Sequence, residues 1–175
     1  MSGRPILIMA GGTGGHVYPA LAVARALQSD ARDVVWLGTE RGLEARVVPA
    51  AGIDIEWISI RGLRRKGLLA LVVAPLQIGW ALMQALAVIR RRRPAAVLGM
   101  GGFVSGPGGV AAWLTRRPLV IHEQNAAAGM TNRLLARLAR VVLQAFPGSF
   151  NSSVTAETVG NPVREDIAAV PPPHE

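Results

Sequence analysis

Two glycine-rich stretches mark the places where this chain could bind a charged ligand. MAGGTGGHVYP, at residues 9–19, puts four glycines, a threonine and His16 between an apolar run and a helix-like run. GMGGFVSGPGG, at residues 99–109, repeats the arrangement after a second apolar run. Bare backbone amides can approach a phosphate or sugar closely, and a helix N-terminus adds partial positive charge. Two such loops on one side of a fold predict a two-sided cradle that suits a pyrophosphate.

Neither loop carries a familiar nucleotide-binding or nucleophile motif. No Gly-Lys-Ser/Thr follows the first loop, so it is not a phosphate-binding loop of the Walker A type. Gly12 and Gly14 match the first two glycines of the dinucleotide-binding motif G-x-G-x-x-G, but Val17 stands in place of the third. Phe103 breaks a G-x-S-x-G elbow around Ser105, which we therefore expect to cap a helix or donate a hydrogen bond. The plainer alternative for both loops is a tight turn that only packs.

His16 is the strongest candidate for proton chemistry, because an imidazole at a loop-to-helix junction could bind or deprotonate a hydroxyl. The rival interpretation is a ring stacked over the helix start. In HEQN, residues 122–125, strand alternation predicts His122 and Glu123 on opposite faces. Glu123 and Asn125 are candidate partners for sugar hydroxyls, whereas His122 is predicted to be structural.

Composition narrows the class of protein. The chain has no cysteine, which excludes thiolate metal sites and disulfides and fits a reducing compartment. Its three histidines show no ligand spacing, Asp54 and Glu56 fall inside an apparent strand, and no acid pair indicates a glycosidase, so we expect neither metal nor cofactor. The net charge of +8 concentrates in clusters that favour phosphate or an anionic membrane. These clusters are residues 61–67, 90–93 and 116–117.

The segments that must position these residues alternate between strand and helix. Strands rich in Val, Ile and Leu that alternate with helices predict an α/β fold, a Rossmann-like parallel sheet with helices on both faces. The loops at residues 11–16, 38–42, 61–67, 101–106 and 123–129 should then share the edge at the carboxyl ends of the strands. Predicted strands are 5–10, 33–38, 53–60, 95–100, 118–123, 140–146 and 156–162, and predicted helices are 19–28, 43–52, 68–89, 107–115 and 130–139.

Residues 67–89 carry no charge and are flanked by arginines, so length alone makes them a membrane-span candidate. Polar and helix-breaking residues interrupt the segment, and the strands predicted before and after it belong to one sheet, which argues against a span. Two alternatives stay open: burial against the sheet, or an apolar and basic surface dipped into an anionic interface. The predicted membrane-facing residues are Arg64, Arg65, Lys66, Leu71, Leu76, Trp80, Arg90 and Trp113.

Taken together, these motifs resemble the amino-terminal half of the MurG glycosyltransferases over residues 5–166. The resemblance implies a GT-B arrangement of two Rossmann-like domains facing across a cleft, in an inverting, metal-independent enzyme. It implies transfer of N-acetylglucosamine from UDP-N-acetylglucosamine to the muramyl 4-hydroxyl of lipid I, undecaprenyl-pyrophosphoryl-MurNAc-pentapeptide, giving lipid II for peptidoglycan. The motifs are MAGGTGGHVYPALAVA, WLGT, GLRRKG, VLGMGGFVSGPGGVAAW, HEQNAAAGMTNRLLA, QAFPG and VGNPVR.

The resemblance also implies a division of labour. Residues 1–165 would be the acceptor domain and residues 166–175 the start of a linker, with a carboxyl-terminal donor domain as the missing partner. The family is peripheral on the cytoplasmic face of the bacterial inner membrane, which fits the apolar and basic surface. We expect negligible transferase activity from the 175-residue chain alone.

Site residues carry over by position. His16 matches a histidine expected to act as the base for the acceptor's 4-hydroxyl, and Phe103 stands where tyrosine is common. Residues that match donor contacts are Thr13, Gly14, Gly15, Asn125 and Arg164. Those expected at the acceptor's pyrophosphate are Gly11, Gly12, Gly101, Gly102, Ser105 and Glu123.

Two other classes remain as alternatives on the residues alone. A dinucleotide-dependent oxidoreductase shares the fold, and Glu40 could be its ribose-binding acid, but Val17 breaks the fingerprint. A nucleic-acid-binding module would fit the charge, yet the basic clusters lack interleaved aromatic residues. We therefore expect no nucleic-acid partner.

Overall fold

The computed structural model describes residues 3–60 and 68–162, and the side chains of residues 68–72 are not described. Within these residues, strands and helices alternate along the chain. The elements are β1 (Ile6–Met9), α1 (Gly14–Ser29), β2 (Val34–Gly38), α2 (Glu44–Ala50), β3 (Asp54–Trp57), α3 (Leu68–Arg92), β4 (Ala96–Gly99), α4 (Ser105–Leu114), β5 (Leu119–Glu123), α5 (Met130–Leu135), β6 (Val141–Gln144) and β7 (Glu157–Thr158).

All seven strands form one parallel sheet in the order β3-β2-β1-β4-β5-β6-β7. The chain builds the sheet outward from β1 to β3 and then returns to add β4 on the other side of β1, where Ile6 lies opposite both Val34 and Ala96. Ligands in open α/β sheets bind beyond the carboxyl ends of the strands at such a reversal. The predicted Rossmann-like fold is confirmed, and both glycine loops emerge at the reversal.

Each face of the sheet is covered by its own apolar layer. Leu7 and Met9 of β1 pack into one layer with residues of α3, α4 and α5, whereas Ile8 and Ala10 pack into the other with residues of α1 and α2. Alternate side chains of a strand point to opposite faces, so a strand buried on both faces must be apolar throughout. This is why the strand segments are continuous apolar runs.

Several element boundaries differ from the sequence prediction. Helix α1 begins at Gly14 rather than Pro19, because Thr13 is extended (φ −109°, ψ 156°) and its carbonyl accepts bonds from the amides of His16 and Val17. The second pair of glycines of the first loop therefore lies in the first helical turn. Strand β3 ends at Trp57 rather than at residue 60, and α5 ends at Leu135 rather than at residue 139.

Helix α3 is apolar on two sides but buried on only one. Ala81, Ala85 and Ile89 belong to the core, whereas Leu76 and Trp80 keep 71% and 62% of their surface exposed. Among the described residues, α3 is the one helix whose length and composition would suffice to cross a membrane, over Val73–Arg92, and 22% of that window is buried. Because α3 joins β3 to β4 of a single parallel sheet and packs on α4, we infer that it is a surface helix and not a span.

The close approach of α4 to the sheet gives a matched pair of stability predictions. A Cβ at Gly108 would overlap Met9 Sδ and lie 3.0 Å from Leu37 Cδ2, whereas a Cβ at Gly79 of α3 would meet nothing within 4 Å. Gly108→Ala should lower the free energy of unfolding by about 1–3 kcal/mol through overpacking. Gly79→Ala should raise it by about 0.5–1 kcal/mol through helix propensity. Urea titration of both variants checks the packing, and a stabilising Gly108→Ala would contradict it.

Candidate functional site

The two glycine loops are in direct contact where β1 and β4 end. Gly101 and Gly102 have φ of +99° and +83°, and a Cβ on Gly102 would overlap the carbonyl oxygen of Gly11. The amide of Met100 also donates to the carbonyl of Met9 at 2.8 Å. The predicted meeting of the loops at one edge of the sheet is confirmed, and only glycine permits so close an approach there.

The side chain of Ser105 stabilises this contact between the loops and does not face solvent. Its side chain is fully buried, and Oγ lies 3.0 Å from the carbonyl oxygen of Met9 and 2.8 Å from that of Gly101. A hydroxyl has a single proton to donate, and both neighbours are obligate acceptors. Ser105 donates a hydrogen bond, as expected, and its hydroxyl ties the second loop to β1. Its placement at the acceptor's pyrophosphate stays a prediction.

Glu44 is a site residue that the sequence analysis missed. It is fully buried at the start of α2, and its carboxylate accepts bonds from the amide of Gly12 at 2.9 Å and from the amide and hydroxyl of Thr39 at 3.0 and 2.7 Å. A Cβ on Gly11 would lie 2.6 Å from Glu44 Oε1, and one on Gly42 would overlap the carboxylate. Glu44 thus supports the first loop from the protein interior, and its carboxylate occupies space that is open only because residues 11 and 42 are glycines.

The bond to Glu44 decides which amides can meet an anion. The Gly12 amide, predicted for the pyrophosphate, is already engaged. The first two residues of α1 are Gly14 and Gly15, and within the described part of the chain their amides donate to no acceptor. Thr13 and Gly15 are exposed, and a Cβ on Gly15 would come no closer than 4.0 Å to its nearest neighbour. Helix α1 therefore presents its first-turn amides to solvent, as an anion site requires.

His16 lies where the two loops meet. A Cβ on Gly101 would be 2.7 Å from Nδ1 and Cε1 of the His16 ring, so the imidazole rests against the second loop. The ring is half-buried, and its Nδ1 lies 2.9 Å from Oε1 of Gln124 at the end of β5. The structure therefore brings together the predicted base, both glycine loops and the HEQN segment.

His122 is structural, as predicted. It is 3% exposed, its Nε2 lies 3.0 Å from the carbonyl oxygen of Gly160, and its Nδ1 lies 3.1 Å from Nε2 of Gln124. Burial lowers the pKa of His122, although the bond to Gly160 and the charge of Glu123 act in the opposite direction. Gln124, which joins His122 to His16, is a second residue that the sequence analysis overlooked.

Glu123, which was predicted to contact the ligand, holds the loop at residues 123–129 together from a buried position. It is fully buried and accepts bonds from Asn125 N and Nδ2 at 3.0 and 2.8 Å, from Gly129 N at 3.0 Å and from Asn132 Nδ2 at 2.9 Å. Burial raises the pKa of Glu123, but these bonds outweigh it and leave the pKa below its ordinary value. Because both of its oxygens accept these bonds, the carboxylate of Glu123 fixes the position of the exposed Asn125.

The remaining predicted residues lie away from this centre or outside the described residues. Arg64, Arg65, Lys66 and Arg164 are outside them, and of Leu71 only the helical backbone in α3 is described. Leu76, Trp80, Arg90 and Trp113 are all exposed. A groove of about 480 Å³ runs between the β2–α2 loop and α3, with Thr39, Arg41, Val73, Leu76 and Trp80 among its lining residues. Thr39 shares Glu44 with Gly12, so the groove adjoins the first glycine loop.

The titrating pair on β5 predicts how stability depends on pH. His122 has a lowered pKa, so the folded state binds fewer protons than the unfolded state between the two pKa values, and its contribution is lost as the pH falls below about 6.5. Glu123 acts in the same direction only below about pH 4.5. The free energy of unfolding should therefore fall from about pH 8 to about pH 5.5, with a flatter dependence in His122→Gln. Urea titrations across that range check this, and an unchanged slope in the variant would contradict it.

Comparison with known proteins places this site in a family. Residues 6–144 match the glycosyltransferase family 28 N-terminal domain. Two relatives, from Alkalilimnicola ehrlichii and Hahella chejuensis, are 64% and 58% identical over 97% and 100% of this chain. Both are named UDP-N-acetylglucosamine--N-acetylmuramyl-(pentapeptide) pyrophosphoryl-undecaprenol N-acetylglucosamine transferase. The chain spans about half the length of these curated relatives, 47% and 49%.

Solved structures agree with this assignment. The crystal structure of Acinetobacter baumannii MurG is 42% identical, with a TM-score of 0.79 over 90% of this chain and 45% of that one. A Streptomyces glycosyltransferase, SsfS6, is 18% identical with a TM-score of 0.58 over 88% of this chain and 53% of that one, and it supports the fold alone. The family match covers most of the chain, including both glycine loops and the HEQN segment, and so this protein belongs to glycosyltransferase family 28.

Proposed function

We propose that this chain is the acceptor- and membrane-binding half of an inverting transferase that moves N-acetylglucosamine from UDP-N-acetylglucosamine to the muramyl 4-hydroxyl of lipid I, giving lipid II. The observation that carries the proposal is the position of His16, with its ring against the second glycine loop and its backbone in the first turn of α1. The names of the relatives indicate the reaction, and the site has the groups that an acceptor needs.

In this proposal Gly14 and Gly15, which the resemblance matches to donor contacts, are reassigned to the acceptor. The acceptor's pyrophosphate lies against their amides in the first turn of α1 and against the backbone of Gly101 and Gly102. Both features suit phosphate, because the amides point outward and the helix start carries partial positive charge. Gly12 contributes indirectly, since its amide is bonded to Glu44 and holds the loop in shape. Following the family resemblance, we assign Thr13, Asn125 and Arg164 to the donor side, facing a carboxyl-terminal domain that would bind most of the UDP-sugar.

The chemistry is a direct displacement. The acceptor's 4-hydroxyl oxygen forms a bond to the anomeric carbon of N-acetylglucosamine while the bond from that carbon to the diphosphate breaks, and UDP leaves with the electron pair. The hydroxyl proton passes to neutral His16, which acts as the general base. Attack opposite the leaving group inverts the anomeric centre.

A membrane-bound acceptor also needs a surface that meets the bilayer. The exposed side of α3 supplies Leu76, Trp80 and Met83, and α4, which packs against α3, supplies Trp113. Arg90 adds charge beside these apolar side chains. Aromatic and apolar residues fringed by arginine favour an anionic interface. We place this surface peripherally on the cytoplasmic face of the inner membrane, with the groove between the β2–α2 loop and α3 leading from it toward the glycine loops.

Titration with a soluble lipid I analogue tests the acceptor assignment. The 175-residue chain should bind the analogue and bind UDP-N-acetylglucosamine only weakly. Gly15→Asp should weaken analogue binding at least about tenfold, because a carboxylate would stand among the amides that receive the pyrophosphate. Gly3→Asp, the same charge change before the opposite end of β1, is the matched control and should leave the affinity unchanged. Failure of the folded chain to bind the analogue, or equal effects of the two variants, would contradict the assignment.

Vesicle binding tests the membrane surface separately. Leu76→Ser should weaken binding to vesicles rich in anionic phospholipid by about tenfold, since a leucine side chain would no longer be buried in the interface. Leu134→Ser on α5 is the matched control, because that leucine is 60% exposed but lies outside the proposed surface. Vesicle sedimentation measures both variants. Equal losses, or no binding by the unaltered chain, would contradict the proposed surface.

A further inference from the structure

A line of hydrogen bonds connects His16 to the backbone beyond β7. Nδ1 of His16 lies 2.9 Å from Oε1 of Gln124, and Nε2 of Gln124 lies 3.1 Å from Nδ1 of His122. Nε2 of His122 lies 3.0 Å from the carbonyl oxygen of Gly160. The two histidines are therefore joined through one amide side chain.

The direction of this line is fixed by two backbone carbonyls, which can only accept hydrogen bonds. Gly160 requires that His122 carry its proton on Nε2. The carbonyl oxygen of His122 lies 3.0 Å from Nε2 of Gln124, so the amino group of Gln124 must face β5. Nδ1 of neutral His122 is then an acceptor for the second proton of the same amino group, which also lies 3.7 Å from the weaker acceptor Sδ of Met100.

The orientation of the Gln124 amide determines which ring nitrogen of His16 carries the proton. With its amino group committed to β5, Gln124 can turn only its carbonyl oxygen toward His16, and that oxygen can only accept. Nδ1 of His16 must therefore carry a proton, and in the neutral ring Nε2 is then the one nitrogen with a lone pair. The bond made by one ring nitrogen sets the protonation of the other.

We propose that Gln124 is a positioning residue that holds neutral His16 as the Nδ1–H tautomer, so that Nε2 receives the proton of the acceptor hydroxyl. This inference rests on the proposed function for the identity of the substrate, but the tautomer itself does not. In the reaction the O–H bond breaks, an Nε2–H bond forms, and the resulting imidazolium strengthens its Nδ1–H bond to Gln124. Gln124 touches neither substrate and acts through His16.

These hydrogen bonds also explain why residue 124 is a glutamine. Gln124 must accept from His16 and donate to β5 at the same time, and an amide does both. A carboxylate would keep the acceptor but lose the donor. A thioether of similar length, in methionine, would lose both functions with little change in volume.

Nitrogen-15 NMR of the histidine rings tests the proposal on the 175-residue chain, which contains only three histidines. At about pH 8, His16 should show a protonated Nδ1 and a bare Nε2, and His122 the opposite pattern. Assignment uses His16→Asn and His122→Gln. Gln124→Met should abolish the single tautomer of His16 and give a mixture, whereas Gln124→Glu should retain the protonated Nδ1.

Gln144→Met is the matched control, because Gln144 is also buried at the end of its strand, in register with Glu123, and bonds Thr158 and not His16. It should leave the His16 pattern unchanged. A protonated Nε2 on His16 in the unaltered chain, or the same tautomer in Gln124→Met, would overturn the proposal. If Gln124→Met does not fold, the patterns of the unaltered chain and of Gln124→Glu decide the matter.

Binding of the soluble lipid I analogue separates this inference from the proposed function. Gln124→Met should bind the analogue within about twofold of the unaltered chain, since Gln124 does not meet the pyrophosphate. Absence of analogue binding together with the expected tautomers would refute the proposed function alone. Analogue binding together with the wrong tautomer would refute the role of Gln124 alone.

Discussion

The close contact between the loops that follow β1 and β4 is the constraint on which the rest of the site depends. The carbonyl of Met9, inside the sheet, accepts bonds from the amide of Met100 and from the hydroxyl of Ser105. An unsatisfied buried acceptor costs about 1–3 kcal/mol, so these bonds hold the loops firmly together. They place Gly102 against Gly11 and Gly101 against the ring of His16. Where the strand order reverses, the two glycine loops thereby form a surface of exposed backbone that includes the imidazole of His16.

Two buried carboxylates shape this surface from behind. Glu44 takes the amide of Gly12 and both donors of Thr39, and Glu123 takes the amides of Asn125 and Gly129. Each carboxylate replaces its lost hydration with donors from the loop above it. A negative charge beneath an anion-binding loop is unfavourable for the ligand, but it decides which amides stay available. In the first loop, those are the amides that begin α1.

The sequence predicted most of the framework and only part of the site. Continuous apolar segments identified the strands of the parallel sheet. The loops that follow these strands identified the edge of the sheet where the site lies. The start of α1 was missed because Gly14 and Gly15 have low helix propensity, and the bonds to the Thr13 carbonyl outweigh it. Glu44 and Gln124 were missed because the residues of the first loop that they bond, Gly12 and His16, are 32 and 108 residues away in sequence. Glu123 was predicted to contact a ligand although its partners are only two, six and nine residues away, because the sequence alone does not show that the loop at residues 123–129 folds back over this carboxylate.

A crystal structure of this chain with the soluble lipid I analogue bound would test the proposed site most directly. The pyrophosphate should lie against the amides of Gly14 and Gly15 and the backbone of Gly101 and Gly102. The muramyl 4-hydroxyl should be within hydrogen-bonding distance of Nε2 of His16. A pyrophosphate bound away from the two glycine loops, or a 4-hydroxyl turned away from His16, would contradict it.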